Sequence, residues 1–308
     1  MREFWVETEI DGAEKLQIRA RLWPAHKTGQ KTGQKTGRLV ILPGFSEFME
    51  KYDPALARLA AAGWQSLVLD WPGQGRSGHL GRRSATCHID DFSQHIDALG
   101  QLLQEAGFLQ QRFSILGHSM GGHLAMRAAH HWQDRIDGLV LCAPMVRPRP
   151  GPGWLIEGIA GLAAAFGFQR SGIFPHRRNR PPPPIFPADN KLTRDQQGWL
   201  GWIKICNSQP DLWRGGPSVG WVRAAYRSGR QTVSNPAWLA ELAVPSLALL
   251  AGNEQLVSNS ETLRALARMP DARHIRFAGA RHELLLELPQ TRDEVFAEIE
   301  AFLAETRS

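Results

Sequence analysis

Short apolar runs alternate with amphipathic helical segments along most of this chain. The runs are rich in β-branched and aliphatic residues and have the length of buried strands. They lie at 38–42, 66–70, 113–116, 137–143, 244–250 and 274–277. Segments with helical periodicity separate them and lie at 54–62, 89–106, 260–268 and 291–304. This alternation predicts an α/β architecture, with a mostly parallel sheet and helices on both of its faces.

The pattern changes in two places. Residues 2–10 and 16–23 have an extended pattern on either side of Asp11-Gly12, which predicts an N-terminal hairpin. The alternation stops from 146 to 236, where prolines are frequent, and six of the eleven tryptophans lie between 146 and 240. We expect residues 146–236 to form an inserted helical cap over the carboxyl edge of the sheet. The core would then comprise 1–145 and 237–308.

The composition is that of a large α/β protein. The chain has 308 residues, of which 43% are hydrophobic, and it has no apolar run long enough to cross a membrane. The first residues mix charged and apolar side chains and lack the apolar segment of a signal peptide, so we expect a cytoplasmic protein. Cys87, Cys142 and Cys206 are few and widely spaced, which argues against a disulfide framework or a metal site.

The net charge of +6 bears on the partners of the protein. It could reflect attraction to anionic lipid or nucleic acid, or simply a basic surface. No nucleic-acid-binding motif is apparent, so we expect no nucleic-acid partner. The Lys-Thr-Gly-Gln repeat at 27–37 lacks the Gly-Lys-Ser/Thr order of a phosphate-binding loop, and we interpret it as a solvated loop. The sequence does not indicate an oligomeric state.

Candidate chemistry centres on Gly117-His118-Ser119-Met120-Gly121, a Gly-x-Ser-x-Gly sequence. An apolar strand enters this segment and a helical pattern leaves it, which is the context of the nucleophile elbow in α/β-hydrolases. Ser119 would lie at the tip of a sharp turn with its hydroxyl exposed. Glycines flank it because a side chain at either position would collide across the turn. We expect the His118 side chain to pack the elbow and to point away from Ser119.

A serine nucleophile in this fold needs an acid and a base, in the chain order Ser, Asp/Glu, His. His282 follows the last strand in a Gly-rich loop, and its imidazole is the expected general base. Glu254 follows the strand at 244–250 and is the preferred acid, which would orient that imidazole. Asp271 and Glu283 are rival acids, but Asp271 precedes its strand and Glu283 is adjacent to His282.

Two backbone N–H groups should form the oxyanion hole. One belongs to Met120, directly after the nucleophile, where a helix begins. The other belongs to Phe45, in the loop that follows the strand at 38–42.

Several further segments carry a family resemblance. They are the loop Leu42-Pro43-Gly44-Phe45-Ser46-Glu47-Phe48-Met49-Glu50-Lys51-Tyr52, the segment at 70–78, the elbow at 117–122, the acid and base loops at 252–259 and 279–283, and two cap segments at 190–193 and 215–221. Over about residues 38–305 the chain resembles the serine-hydrolase family of bacterial lysophospholipases and monoacylglycerol lipases, which have the α/β-hydrolase fold. The resemblance implies hydrolysis of a fatty-acyl ester, with Ser119 as nucleophile, His282 as base and Glu254 as acid. Pro43 stands where many relatives have histidine, and Glu254 stands where aspartate is common.

The expected reaction is a two-step acyl transfer to water, with no metal and no organic cofactor. Serine at the elbow argues against dehalogenase or epoxide-hydrolase chemistry, which in this fold uses aspartate there. Two alternatives stay open: an acyltransferase with the same triad, and a catalytically silent lipid- or membrane-binding protein. A peripheral contact with an anionic membrane, at its inner face, also stays open, as does the choice between lysophospholipids and monoacylglycerols.

Overall fold

A computed structural model describes residues 1–10, 14–26, 36–81, 85–147, 153–173 and 181–307. The predicted turn at Asp11-Gly12 and most of the Lys-Thr-Gly-Gln repeat lie outside these residues. The strands, in chain order, are β1 (Arg2–Ile10), β2 (Glu14–Trp23), β3 (Gly37–Leu42), β4 (Trp64–Leu69), β5 (Thr86–Cys87), β6 (Phe113–His118), β7 (Ile136–Cys142), β8 (Gly216–Pro217), β9 (Ser246–Ala251) and β10 (Ala272–Phe277).

Eight of these strands form one sheet within the described residues, in the order β1-β2-β4-β3-β6-β7-β9-β10. The first two pairings, β1 with β2 and β2 with β4, are antiparallel, and every later pairing is parallel. The prediction of a mostly parallel sheet with an N-terminal hairpin is therefore confirmed. Because the strands run parallel, the loops after β3, β6, β9 and β10 all leave at one edge.

The helices, in chain order, are α1 (Asp53–Ala61), α2 (Ser93–Glu105), α3 (Met120–His131), α4 (Gly153–Ala163), α5 (Gln196–Ser208), α6 (Val219–Gln231), α7 (Pro236–Ala240), α8 (Asn259–Leu266) and α9 (Pro289–Thr306). The helix predicted at 89–106 begins later, at Ser93. The reason is local: the Gln94 side chain accepts hydrogen bonds from the backbone N–H groups of Asp90 and Asp91, which holds that segment in a turn.

Strand β3 shows how the two faces of the sheet are covered. Val40 and Leu42 belong to an apolar cluster that includes residues of α2 and α3. Leu39 and Ile41 belong to a second cluster with residues of α1 and α9. Successive side chains of a strand point to opposite faces, so this alternation places helices on both faces, as predicted.

Helices α4 to α7 are inserted between β7 and β9, where the strand–helix alternation of the sequence stops. A π-helical turn, Ala164–Phe168, continues α4. The short pairing of β5 with β8 joins this insertion to the core, and His88 Nδ1 lies 2.7 Å from Ser218 Oγ beside it. The cap boundaries at 146 and 236 stay a prediction. Among the described residues, no helix combines the length and the apolar composition needed to cross a membrane.

Candidate active site

Ser119 lies between the end of β6 and the start of α3 in a strained backbone conformation. Its φ of 53° and ψ of −117° are unfavourable for a residue with a side chain. Hydrogen bonds stabilise this strained conformation. The Ser119 N–H donates to the Cys142 carbonyl, and the Ser119 carbonyl accepts from the N–H groups of Gly122 and Met145. This is the sharp strand–turn–helix geometry that the sequence predicts.

Close packing explains the two flanking glycines. A Cβ on Gly117 would collide with the Gly121 carbonyl oxygen, and a Cβ on Gly121 would collide with the Leu42 carbonyl oxygen. Both collisions are with backbone atoms, which cannot move aside cheaply. The predicted collision across the turn is therefore confirmed for Gly117, whereas Gly121 is required by the end of β3 instead.

Two loops bring an imidazole and a carboxylate together near this turn. His282 follows β10 and Glu254 follows β9, and both side chains are buried. The distance from His282 Nδ1 to Glu254 Oε2 is 2.8 Å, so Nδ1–H can donate to the carboxylate. The other carboxylate oxygen, Oε1, accepts from the backbone N–H groups of Leu256 and Val257. The carboxylate is thus fixed on both sides.

The same contacts set the charge state of Glu254. Burial alone would raise the pKa of this carboxyl group. The hydrogen bond and the charge of His282, together with the two backbone donors, outweigh burial and hold the pKa below its usual value. Glu254 therefore remains ionised beside the imidazole at neutral pH.

The rival acids lie elsewhere. Asp271 is at the amino end of β10, where its carbonyl accepts from the Ser246 N–H at the start of β9. Glu283 pairs with Lys51, 2.6 Å from Oε1 to Nζ. Of the three candidate carboxylates, Glu254 is the one that contacts His282 Nδ1.

Ser119 and His282 line one cavity of about 320 Å³. The insertion supplies three tryptophans to its wall, Trp202, Trp213 and Trp221, and Phe45 and Met145 add further apolar surface. The arrangement places a hydroxyl and an imidazole in an apolar chamber that can bury an acyl chain.

The residues expected to form the oxyanion hole lie on either side of the nucleophile. Met120 is the first residue of α3. Phe45 lines the cavity, and its ring packs against Trp221 with 4.3 Å between centroids. The loop before Phe45 is shaped by a hydrogen bond from Trp71 Nε1 to the Pro43 carbonyl, 2.8 Å long. The N–H roles of Phe45 and Met120 stay a prediction.

A group of buried polar residues lies beside the nucleophile and the base, and three of them, Glu47, Lys51 and Glu283, line the same cavity. The sequence predicted elbow packing for His118 and a rival acid at Glu283, but not this grouping. We call Glu47, Lys51, Tyr52, His118 and Glu283 the polar cluster. Lys51 Nζ contacts Oε1 of both carboxylates, Tyr52 OH donates to Glu47, and the Gly44 N–H donates to Glu47 as well. The resemblance segment at 42–52 carried three of these residues, but nothing in its pattern showed what they contact.

His118 takes part in this cluster in addition to packing the elbow. Its Nε2 lies 3.3 Å from Glu283 Oε2 and 3.6 Å from Glu47 Oε1. Its ring lies against the ring of His282, with 4.9 Å between centroids. Glu47, His118 and Glu283 are close enough to share a metal ion, but Lys51 already supplies a cation to both carboxylates.

The charges within the cluster stabilise one another. Burial by itself would lower the pKa of His118, but Glu283 and Glu47 outweigh it and raise that pKa. Burial would raise the pKa of Glu283, but Lys51 and His118 hold it well below its usual range. Lys51 therefore compensates the charge of both carboxylates, and the carboxylates in turn favour the protonated form of His118.

The chain matches known proteins over most of its length. Residues 33–289 match the family described as "Serine aminopeptidase, S33". Lysophospholipase L2 of Escherichia coli K12 is 28% identical over 304 residues, covering 93% of this chain and 85% of that protein. The monoacylglycerol lipase of Mycolicibacterium smegmatis is 25% identical over 257 residues, covering 82% and 83% respectively.

A solved structure confirms the fold. A soluble variant of monoglyceride lipase from Saccharomyces cerevisiae, in complex with a substrate analogue, superimposes with a TM-score of 0.75. It is 18% identical, and the match covers 98% of this chain and 95% of that one. The resemblance in the sequence is thus confirmed by family, relatives and fold: the chain belongs to the serine aminopeptidase S33 family of α/β-hydrolases and is a serine hydrolase of the carboxylic-ester type.

Proposed function

We propose that this enzyme hydrolyses fatty-acyl esters of lipids, such as lysophospholipids or monoacylglycerols, through a Ser119–His282–Glu254 triad. The observation that carries the proposal is the 2.8 Å contact between His282 Nδ1 and Glu254 Oε2, with His282 and Ser119 in the wall of one apolar cavity. The names of the relatives support the substrate class, since they include a lysophospholipase and a monoacylglycerol lipase.

The chemistry follows from the roles of these groups. Glu254 accepts Nδ1–H and so leaves Nε2 of His282 free to take the proton of the Ser119 hydroxyl. Ser119 Oγ then attacks the ester carbonyl, and the N–H groups of Phe45 and Met120 stabilise the oxyanion. His282 returns its proton to the departing alcohol, which leaves an acyl group on Ser119. Water, deprotonated by His282, hydrolyses this ester and releases the fatty acid.

We also propose that helix α4 brings the enzyme to the cytoplasmic face of an anionic membrane. Ile159, Leu162 and Phe166 are 62%, 64% and 73% exposed, and their spacing places them on one side of α4 and its π-helical turn. Ala160 on the same helix is buried. An exposed apolar stripe on a protein of net charge +6 suits contact with anionic lipid, where its substrates would reside.

The test is hydrolysis of a lysophospholipid and a monoacylglycerol, side by side, by the wild type and by Ser119→Ala. We expect turnover of at least one substrate and its loss in Ser119→Ala. Ser114→Ala changes a buried serine of β6, the strand that leads to Ser119; it is the matched control and should keep the activity. Transfer to an added alcohol at the expense of hydrolysis would assign an acyltransferase instead. Lipid binding without any Ser119-dependent turnover would overturn the proposal in favour of a silent binding protein.

A further inference from the structure

The polar cluster draws its residues from three separate parts of the site. Glu47, Lys51 and Tyr52 come from the loop after β3, which carries Phe45. His118 comes from the end of β6, directly before Ser119. Glu283 comes from the loop after β10, directly after His282. The cluster therefore joins the loops that carry the expected oxyanion hole, the nucleophile and the base.

Each of these connections is buried. Glu47, Lys51, His118 and Glu283 are all less than a tenth exposed. A charge in such a place is costly unless an opposite charge lies against it. Here the partners come from different loops, so a loop that moved away would leave an unpaired buried charge behind. The cluster consequently resists separation of the three loops.

Glu283 has the central position in this arrangement. Its Oε1 lies 2.6 Å from Lys51 Nζ, and its Oε2 lies 3.3 Å from His118 Nε2. Its backbone N–H donates to the Leu192 carbonyl, 2.8 Å away, which ties the same loop to the segment before α5. One residue thus fixes the base loop to the other two loops and to the insertion.

The neighbouring imidazole is held by two different contacts. Glu254 binds the Nδ1 edge of His282, and the His118 ring packs beside it, tilted by 55° with 4.9 Å between centroids. The carboxylate of Glu283 fixes His118 from the other side. Glu283 is thus connected to the base in two ways, through the backbone next to it and through the His118 ring.

We propose that Glu283 is a positioning residue, whose carboxylate clamps the base loop to Lys51 and His118 and so holds His282 in place for both steps of the reaction. This inference rests on the proposed function, because it takes His282 as the base. Clamping acts on the chemical steps, and since Glu283 also lines the cavity, a change in KM would report its contact with substrate and a change in kcat the clamp. Loss of the clamp should therefore lower kcat and leave KM nearly unchanged.

The test compares Glu283→Gln with Glu287→Gln. Glu287 is a buried carboxylate of the same loop that accepts from the Arg281 and Leu288 N–H groups and pairs with Arg194 of the insertion, 3.2 Å away. It therefore also ties the base loop to the insertion, but through partners outside the polar cluster. We expect Glu283→Gln to lower kcat roughly 30-fold, with KM within about threefold of the wild type. Glu287→Gln should lower kcat less than about threefold, whatever stability it loses. An equal loss of kcat in both variants, at matched loss of stability, would overturn the proposal.

A charge-balanced double variant keeps the test decisive if Glu283→Gln folds poorly. With His118 protonated, Lys51→Met leaves the cluster with one excess negative charge, and Glu283→Gln leaves it with one excess positive charge. The double variant has no excess charge, because Glu47 remains paired with His118. We expect the double variant to be folded and to lose far less kcat than the product of the two single losses. Losses that multiply without coupling would contradict the clamp.

A fluorophosphonate probe that labels active serines separates this proposal from the proposed function. If Ser119 of the wild type is not labelled and no ester is turned over, the proposed function fails and the clamp fails with it. If the wild type is labelled and Glu283→Gln is labelled equally fast with full kcat, only the clamp fails. We expect labelling of Ser119 to slow in Glu283→Gln in parallel with kcat.

Discussion

The polar cluster and the outer side of α4 differ in which side chains they bury and which they expose. In the cluster every charge is buried and lies against an opposite charge, as in the 2.6 Å contact of Lys51 with Glu283. On α4 and the π-helical turn that continues it, apolar side chains such as Ile159 and Phe166 are left largely exposed. The buried charges hold the loops in one geometry, because movement of one loop would leave a buried charge without its partner. The exposed apolar side chains fix nothing within the molecule and are available to a surface outside it.

This difference separates two tasks within one enzyme. Ester hydrolysis needs an imidazole, a hydroxyl and two N–H groups held to within a fraction of an ångström. Extraction of a lipid needs an apolar surface that adapts to a bilayer. The core loops carry the buried charges, and the insertion carries both the exposed stripe that we propose contacts the membrane and three tryptophans of the cavity wall.

We expect the largest effect from substitution of Glu254, the proposed acid of the triad. Glu254→Gln removes the charge that stabilises the imidazolium of His282, and we expect kcat to fall on the order of 10³- to 10⁴-fold. Glu254→Asp keeps the charge and should be at least about tenfold more active than Glu254→Gln. The measurement is kcat on a water-soluble short-chain ester, with thermal unfolding as the check on folding.

Glu261→Gln on α8 is the control for this change, because that carboxylate contacts Arg264 and not His282. It should retain wild-type kcat. A folded Glu254→Gln variant with undiminished kcat would remove Glu254 from the proposed triad and reopen the choice of acid.

From the sequence, site residues could be predicted only where they follow a clear strand or belong to a recognisable turn motif. Ser119, His282 and Glu254 follow strands whose apolar runs are clear, and parallel strands bring such loops to one edge. The pairing of Lys51 with Glu283 could not be predicted in this way, since the two residues are 232 positions apart. Neither lies on a periodic face, and only the folded loops bring them into contact.

The secondary structure could likewise be predicted for its long elements but not for its short ones. The long apolar runs predicted the sheet because burial on both faces leaves few alternatives. The two-residue strands β5 and β8 carry no periodic signal, and their pairing depends on how the insertion meets the core. The late start of α2 depends on one side chain, Gln94, that competes with the helix for backbone N–H groups.

An intermediate effect is the pH dependence of the unfolding free energy, to which buried neutral and buried charged groups contribute with opposite sign. Burial lowers the pKa of His95 and of His123 to about 3, so both are neutral when folded. Their unfolded pKa is about 6.5, so stability is lost as the pH falls below that value. At pH 5 each histidine should cost about 2 kcal/mol of unfolding free energy relative to pH 7.5.

His118 has the opposite sign, because the carboxylates of the cluster raise its pKa. Its stabilising contribution is fully present below about pH 6.5 and is lost as the pH rises through the raised folded value. Urea unfolding at pH 7.5 and pH 5 measures the balance. His95→Phe, which keeps a ring beside Trp71 and Phe92, should reduce the acid loss by about 2 kcal/mol. No change in the acid loss would contradict the assignment of His95 as a buried neutral group.

The smallest effect should come from the exposed stripe. Replacing Ile159 and Phe166 by serine removes apolar surface that is largely exposed, and we expect activity on lipid in anionic vesicles to fall about tenfold. Activity on a water-soluble short-chain ester should stay unchanged. Leu263→Ser on α8, also an exposed apolar side chain, is the control and should affect neither activity. An equal loss on both substrates would mean that the stripe supports folding rather than membrane contact.

The most direct test of the central claim is to trap the acyl-enzyme. Rapid mixing with a fatty-acyl ester of a chromogenic alcohol, followed by acid quench and mass spectrometry, locates the acyl group. We expect a burst of alcohol and one acyl group on the peptide that contains Ser119, with neither in Ser119→Ala. Undiminished hydrolysis by Ser119→Ala, or an acyl group on another residue, would contradict the mechanism.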